Sequence, residues 1–315
     1  MTKILITGAS GLIGKRLTEM LLQKGYAINT LGRTPNPPEA EALIQNKSLA
    51  TDNSQLTTFF WDIEKMKMDE RTLEGVTAII HLAGAKVADK RWTEERKKEL
   101  IDSRINSTRL LFETLKQTQN MVKTIVSASA VGYYGDCGDE LVTEERKPAS
   151  TFLAKLCVDW EAEVQKFGKL GIRTVMNRIG IVLSKNGGAL PELEKTIPLG
   201  IAGYFAKKNL YYPWIHIDDV CGIFINALEN EKINGAYNCI APNPILIKDL
   251  MQGIVDSKKS HALLIPVPLF PLKIALGEMA EMLLSSQRCS DAKILESGYR
   301  FQYKNVTTAL KVIYS

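Results

Sequence analysis

Gly8-Ala9-Ser10-Gly11-Leu12-Ile13-Gly14 stands between a short apolar run, Lys3–Thr7 (KILIT), and a segment in which Ile13, Leu17 and Leu21 recur every four residues. A strand that enters a glycine turn and leaves it as a helix constrains the fold more than anything else in the chain. The first glycine, Gly8, permits a tight turn. The second, Gly11, lets the backbone approach a pyrophosphate, and the third, Gly14, lets the helix pack on the strand. The helix start at Leu12 and Ile13 then offers free N–H groups and a positive dipole end to phosphates. Gly25 falls where a helix C-terminal glycine belongs. The turn therefore predicts a dinucleotide site.

The same alternation continues downstream. Ala27–Leu31, Thr77–Leu82, Thr124–Ser127 and Arg173–Leu183 read as strands. A long charged helix is expected from about Thr93 to Lys116, and another from about Ser150 to Phe167. Strands alternating with helices imply an α/β doubly wound, Rossmann-type parallel sheet with right-handed crossovers. After Leu183 the pattern breaks into glycines and prolines, until Trp214–Asp219 (WIHIDD) leads into another helix. The expected organisation is a Rossmann domain over 1–183, with 214–242 returning to it, and a smaller α+β C-terminal substrate domain over 184–315.

Composition narrows the class. The chain has 315 residues, 45% of them hydrophobic, which is enough for one large domain or two closely joined ones. Net charge is only +5 and is spread along the chain, so no nucleic-acid partner is expected. Five scattered cysteines form no CxxC pair and three distant histidines form no cluster, so neither a metal site nor a disulfide framework is expected. No signal peptide is visible. The apolar stretch Ala262–Leu272 is broken by three prolines and too short to span a bilayer, so a cytoplasmic protein without membrane contact is expected.

Which dinucleotide is decided at the end of the second strand. An NAD site places an acid there to accept from the ribose 2′-hydroxyl. This chain has Leu31-Gly32-Arg33-Thr34. Arg33 can pair with a 2′-phosphate through charge-assisted hydrogen bonds, which favours NADP over NAD.

With these residues in place, the chain resembles the extended short-chain dehydrogenase/reductase superfamily. The glycine turn, His81-Leu82-Ala83-Gly84 and Ser127-Ala128-Ser129-Ala130 carry that likeness. More narrowly it is similar to an atypical NAD(P)-dependent epimerase/dehydratase-like subfamily with a small conserved C-terminal domain, the epimerase family proteins. Ser103-Arg104, Val131-Gly132-Tyr133-Tyr134-Gly135, Asp159-Trp160-Glu161, Arg178–Leu183, Gly187–Leu190 and Trp214–Asp219 match it. So do Leu276-Gly277-Glu278, Leu283-Leu284 and Gly298–Phe301 near the end. The resemblance implies that Leu82, Ala83 and Gly84 line the cofactor, that Glu99 and Arg104 reach the nucleotide, and that Val182 lies near the nicotinamide. For Glu99 the alternative is a solvated charged surface shared with Arg96, Lys97 and Lys98. His81 follows a buried apolar run and reads as a hydrogen-bonded core residue, and His216, in an apolar alternation, as structural or as a support behind the site's residues.

The superfamily's usual reaction needs a tyrosine, a lysine four residues later and a serine. The lysine and the ribose lower the phenol pKa so that it can exchange a proton while hydride moves. Ser129 stands at the serine position, where it is expected to hold the substrate oxygen. Counting back from Glu161 puts the tyrosine position at Leu153 and the lysine position at Cys157, so both groups are missing. Lys155 is out of phase on the helix. Tyr204 with Lys208 has the right internal spacing but lies too far from Ser129. Tyr133 or a water is left to move the proton. The segment Ala202–Asn209, where relatives tend to carry a Gly-Ser-Gly-x-Gln stretch, is expected to be a loop bordering the substrate cleft. The sequence thus points to an NADP-dependent oxidoreductase or epimerase-like enzyme for a small carbonyl or sugar-nucleotide-like substrate. The alternative is a non-catalytic NADP-binding protein acting through a protein partner.

Overall fold

In the computed structural model, which describes residues 2–34 and 55–315, the apolar run Lys3–Thr7 is the central strand, β1. Ile4, Leu5 and Ile6 are fully buried, as expected for a parallel strand covered on both faces, each contributing about 1.5–3 kcal/mol by burial. The glycine turn leads into α1 (Leu12–Gln23), and β2 (Ala27–Gly32) returns beside β1. Beyond it lie β3 (Leu56–Asp62) and the short antiparallel β4 (Lys67–Met68). The chain then crosses to the other side of β1 as β5 (Val76–His81), α2 (Glu94–Gln117) and β6 (Thr124–Ala130).

After the short β7 (Leu141–Val142) come α3 (Phe152–Gln165) and β8 (Arg173–Ile179). A later segment, β14 (Gly235–Cys239), closes the sheet, whose order is β14-β8-β6-β5-β1-β2-β3-β4. The order reverses between β1 and β5, and the carboxyl ends of these two strands frame the crevice where such sheets bind ligands. α2 and α3 start where side-chain caps stand: Thr93 accepts from the Arg96 N–H and Thr151 from the Ala154 N–H.

Arg173–Leu183 is not one strand. At Gly180 the chain leaves the main sheet and continues as β9 (Ile181–Ser184), which pairs with β10 (Gly187–Gly188) and β13 (Trp214–His216). The cause is close approach: a Cβ on Gly180 would stand 2.0 Å from the Pro213 carbonyl oxygen, which accepts the Ile181 N–H. Helix α5 (Ile217–Glu229) follows β13 and packs on α1. The segment expected to be a loop is also ordered differently, as the strand β11 (Ile201–Phe205) paired in parallel with β16 (Leu263–Val267). Between β9 and β16 lie α4 (Leu190–Leu193), β12 (Tyr211–Tyr212), β15 (Ile245–Leu246) and α6 (Ile247–Ser257). Two main apolar cores result. The larger surrounds the parallel sheet, and the second joins Leu183, Trp214, Leu250, Ile254 and Leu310.

Candidate functional site

The turn after β1 has the shape its sequence implies. Gly8 adopts φ +70°, and a Cβ there would lie 2.7 Å from the Leu82 carbonyl oxygen. A Cβ on Gly14 would meet the Gly8 carbonyl at 2.2 Å, so the first turn of α1 can sit against the loop only without side chains. Gly11 is the N-cap of α1, and no side chain caps the N–H groups that follow. A twelve-residue helix with its first amides uncapped behind a bare glycine cradle suits a pyrophosphate. These residues fit a dinucleotide.

The segment 82–84 lies against this turn. The Leu82 and Ala83 N–H groups both donate to the Thr7 hydroxyl at 3.2 Å, which fixes the loop after β5 to the end of β1. Val182 on β9 comes to the same corner: a Cβ on Gly188 would be 2.6 Å from its carbonyl and 3.3 Å from the Leu12 side chain. Arg33 is exposed at the end of β2. Glu99 is more than half exposed and pairs with Arg96 of its own helix. Arg96, expected among solvated charges, is instead buried and ties α2 to the preceding loop through Asp89 and the Lys86 carbonyl. Arg104 is 9% exposed and donates to the Leu100 and Ala85 carbonyls at 3.0 and 3.1 Å.

His81 is fully buried. Its ring nitrogens lie 2.7 Å from the Thr7 hydroxyl and 3.0 Å from that of Thr108, and burial pushes its pKa down to about 3. It is a neutral core residue. His216 caps α5, its Nδ1 accepting the Asp218 N–H at 3.1 Å, and burial lowers its pKa.

Ser129 does not reach the crevice as expected. It is 3% exposed, and its hydroxyl donates to Glu161 Oε1 at 2.6 Å. Strand alternation decides this: Ser129 and its neighbour in register, Arg178, point toward α3, where Glu161 stands. Arg178 clasps Glu161 with two bonds of 2.8 Å and donates to the Tyr134 hydroxyl at 2.9 Å. The same guanidinium carbon stands 3.5 Å from the centre of the Tyr133 ring. Tyr133 is half-buried, with no hydrogen bond from its hydroxyl among the described residues. The Glu161–Arg178 pair is the part of the site missed in the sequence, although an arginine inside the apolar run RTVMNRIGIVL demands a buried acid.

At the two positions of the missing pair, Leu153 packs with Trp92, Leu156 and Met279, and the Cys157 thiol donates to the Ala130 carbonyl at 3.7 Å. Burial pushes the Cys157 pKa up to about 11, so the thiol is uncharged.

Residues 4–239 match the NAD dependent epimerase/dehydratase family, and residues 267–313 match a domain of unknown function, DUF1731. The chain belongs to the NAD dependent epimerase/dehydratase family. It is 33% identical to the epimerase family protein SDR39U1 homolog, chloroplastic, of Arabidopsis thaliana, over 98% of this chain and 85% of that one. It is 32% identical to the epimerase family protein YfhF of Bacillus subtilis, over 98% and 96% of the two chains. The crystal structure of human epimerase family protein SDR39U1 (isoform2) with NADPH superposes with a TM-score of 0.81 at 25% identity, covering 99% of both chains. A UDP-glucuronic acid 4-epimerase from Bacillus cereus, at 19% identity and a TM-score of 0.79 over 99% and 98% of the two chains, shares the fold. As a member of this family the chain is an NAD(P)-binding protein. Among the described residues, no helix is long and apolar enough to cross a membrane, and no group of three or more His, Cys, Asp or Glu residues is placed to hold a metal.

Proposed function

We propose that this protein is an NADP-dependent oxidoreductase or epimerase-like enzyme for a small carbonyl or sugar-nucleotide-like substrate. The observation that carries the reading is the bare glycine cradle facing the uncapped start of α1, with Arg33 where an NAD site would place an acid. A structure of the human relative with NADPH supports the choice of NADP. In this reading Gly8, Gly11, Leu12, Ile13 and Gly14 hold the pyrophosphate, and Arg33 pairs with the 2′-phosphate. Leu82, Ala83, Gly84, Glu99, Arg104 and Val182 border the rest. Residues 1–183 and 214–242 form the cofactor domain and 184–315 the substrate domain, in a cytoplasmic protein without nucleic-acid or membrane partners.

The bound nicotinamide supplies hydride chemistry. The chain's own residues then have to hold the substrate and move a proton. Tyr133 is the candidate acid, its ring fixed by the Arg178 guanidinium and its hydroxyl without a hydrogen bond among the described residues. Ser129 takes a different part from the one expected. It braces Glu161, which holds Arg178 against Tyr133, so it positions the acid through two intermediaries.

A second reading, a non-catalytic NADP-binding protein acting through a protein partner, is favoured by the partly buried apolar Leu153 and the buried, uncharged thiol of Cys157 at the two catalytic positions. Calorimetric titration of NADP⁺, NADPH and NAD⁺ into wild type and Arg33→Ala tests the cofactor first. NADP(H) binding weakened by about 1.5–3 kcal/mol in the variant, the scale of a charged hydrogen bond, is expected. A carbonyl panel with NADPH, run on wild type and Tyr133→Phe, then separates the two readings. Absence of any dinucleotide binding would overturn both.

A further inference from the structure

The proposed reaction leaves one concavity unused. A cavity of about 280 Å³ lies between the start of α1, the turn joining β9 to β10, the start of α5 and the helix Val306–Tyr314. Of the residues assigned to the dinucleotide, only Leu12 borders it. Ser129, Tyr133, Glu161 and Arg178 do not.

One buried side chain in the wall is only half used. His216 is 4% exposed, and its polar contacts are all made through Nδ1. Nδ1 accepts the Asp218 N–H, so in the neutral ring the hydrogen is carried by Nε2. Burial lowers the pKa of the ring, which keeps it neutral. Tyr303 packs on the ring with centroids 3.9 Å apart and limits its rotation. Nδ1 is turned to the first turn of α5, and the Nε2 edge, without a partner among the described residues, is left to the cavity. A donor held in so buried a place is unfavourable unless the cavity brings it an acceptor.

Charge decides what that acceptor belongs to. Arg16, Lys185, Glu19 and Asp218 all border the cavity. Arg16 donates to Asp218 at 2.6 Å and to Glu19 at 3.3 Å, so one guanidinium serves two carboxylates. Lys185 is exposed, whereas Asp219, fully buried behind Asp218, adds a third negative charge. An anion here would meet more negative charge than positive, and a cation would meet the Nε2–H donor. The class that suits both is a neutral ligand whose groups accept and donate in turn. A hydroxyl can accept from Nε2 while a neighbouring hydroxyl donates to the part-exposed Asp218 carboxylate. Leu12, Ile217 and Val312 add an apolar side for carbon-bound hydrogens. The volume falls just short of the roughly 300–1,000 Å³ of pockets for drug-sized ligands, which limits the occupant to a single small ring.

We propose that this cavity binds a neutral polyhydroxy compound of monosaccharide size, selected by the Nε2–H group of His216. The proposal goes beyond the NADP reading and does not rest on it.

The test uses the full chain and three probes: D-glucose, myo-inositol and inorganic phosphate. Ring ¹⁵N resonances of His216 are followed during each titration, and dissociation constants are taken from the shifts. In wild type, glucose or myo-inositol is expected to move the Nε2 resonance, and phosphate at the same concentration is not. His216→Asn keeps an acceptor to cap α5 but removes the donor. Followed through backbone amides of α5, its affinity for the same polyol should fall about tenfold, the order of one hydrogen bond. Val312→Trp places a large ring at a wall position that is 49% exposed, so it should fill the cavity and abolish binding while keeping the wild-type urea midpoint. A wild type that binds neither polyol would overturn the proposal, as would equal polyol affinity in wild type and both variants. Phosphate binding tighter than either polyol would overturn the neutral class and make the cavity an anion site.

Discussion

His81 illustrates how a single side chain can look catalytic and be structural. It ends β5 beside the crevice, yet both ring nitrogens are occupied by Thr7 and Thr108 in a fully buried setting. Burial holds its pKa near 3, below the unfolded value of about 6.5. Between those values the unfolded chain binds the extra proton and the folded one does not. Stability from this residue is therefore complete above pH 6.5 and falls as the pH drops toward 3. From pH 7 to 5 the loss is about 2 kcal/mol. Urea midpoints at the two pH values should fall further for wild type than for His81→Asn, and parallel falls would contradict the assignment. The residue was legible from its place after an apolar run. Ser129 was not, because the direction of its side chain depends on strand register, and its partner Glu161 is 32 residues away.

Among the elements, those set by local chemistry agree with their sequence signals. β1, α1 and the capped starts of α2 and α3 follow from apolar runs, glycine spacing and threonine caps. Elements decided by distant neighbours do not. The run Arg173–Leu183 is rich in apolar and β-branched residues, and the approach of Pro213 divides it into β8 and β9. β3 went unread, although Asp52-Asn53-Ser54 precede it as a turn signal and its aromatic residues suit a strand. The division at Gly180 makes a sharp prediction. A methyl group placed 2.0 Å from the Pro213 oxygen must displace backbone, so Gly180→Ala should lose about 2–3 kcal/mol of stability. Chemical denaturation would show it, and a loss under half a kcal/mol would mean that the junction yields freely.

At the scale of the whole molecule, the question is what joins the parallel-sheet core to the C-terminal segment. The answer lies on α5, which follows β13 and packs on α1. Its Asp219 is fully buried and accepts three hydrogen bonds from the far end of the chain. They come from the Tyr299 hydroxyl at 2.8 Å, the Gln302 N–H at 2.8 Å and the Tyr303 N–H at 2.9 Å. Phe301 belongs to the first core and Tyr303 to the second, so this one carboxylate fixes the chain where it passes between them. Gly222, one turn along α5, leaves room for the Tyr299 ring: a Cβ there would be 2.4 Å from its oxygen. Asp219→Ala would strand two backbone donors and a phenol in the interior, an expected loss of about 3–5 kcal/mol. Asp219→Asn keeps one acceptor oxygen but turns an amide donor toward an N–H, so it should fall between. Hydrogen exchange provides the spatial readout. The amides of Gln302 and Tyr303 should lose protection in both variants, while those of β1 and β5 should lose it only as far as global stability falls. Uniform loss across the chain would mean that the two cores unfold as one unit, with Asp219 serving the whole fold rather than the junction.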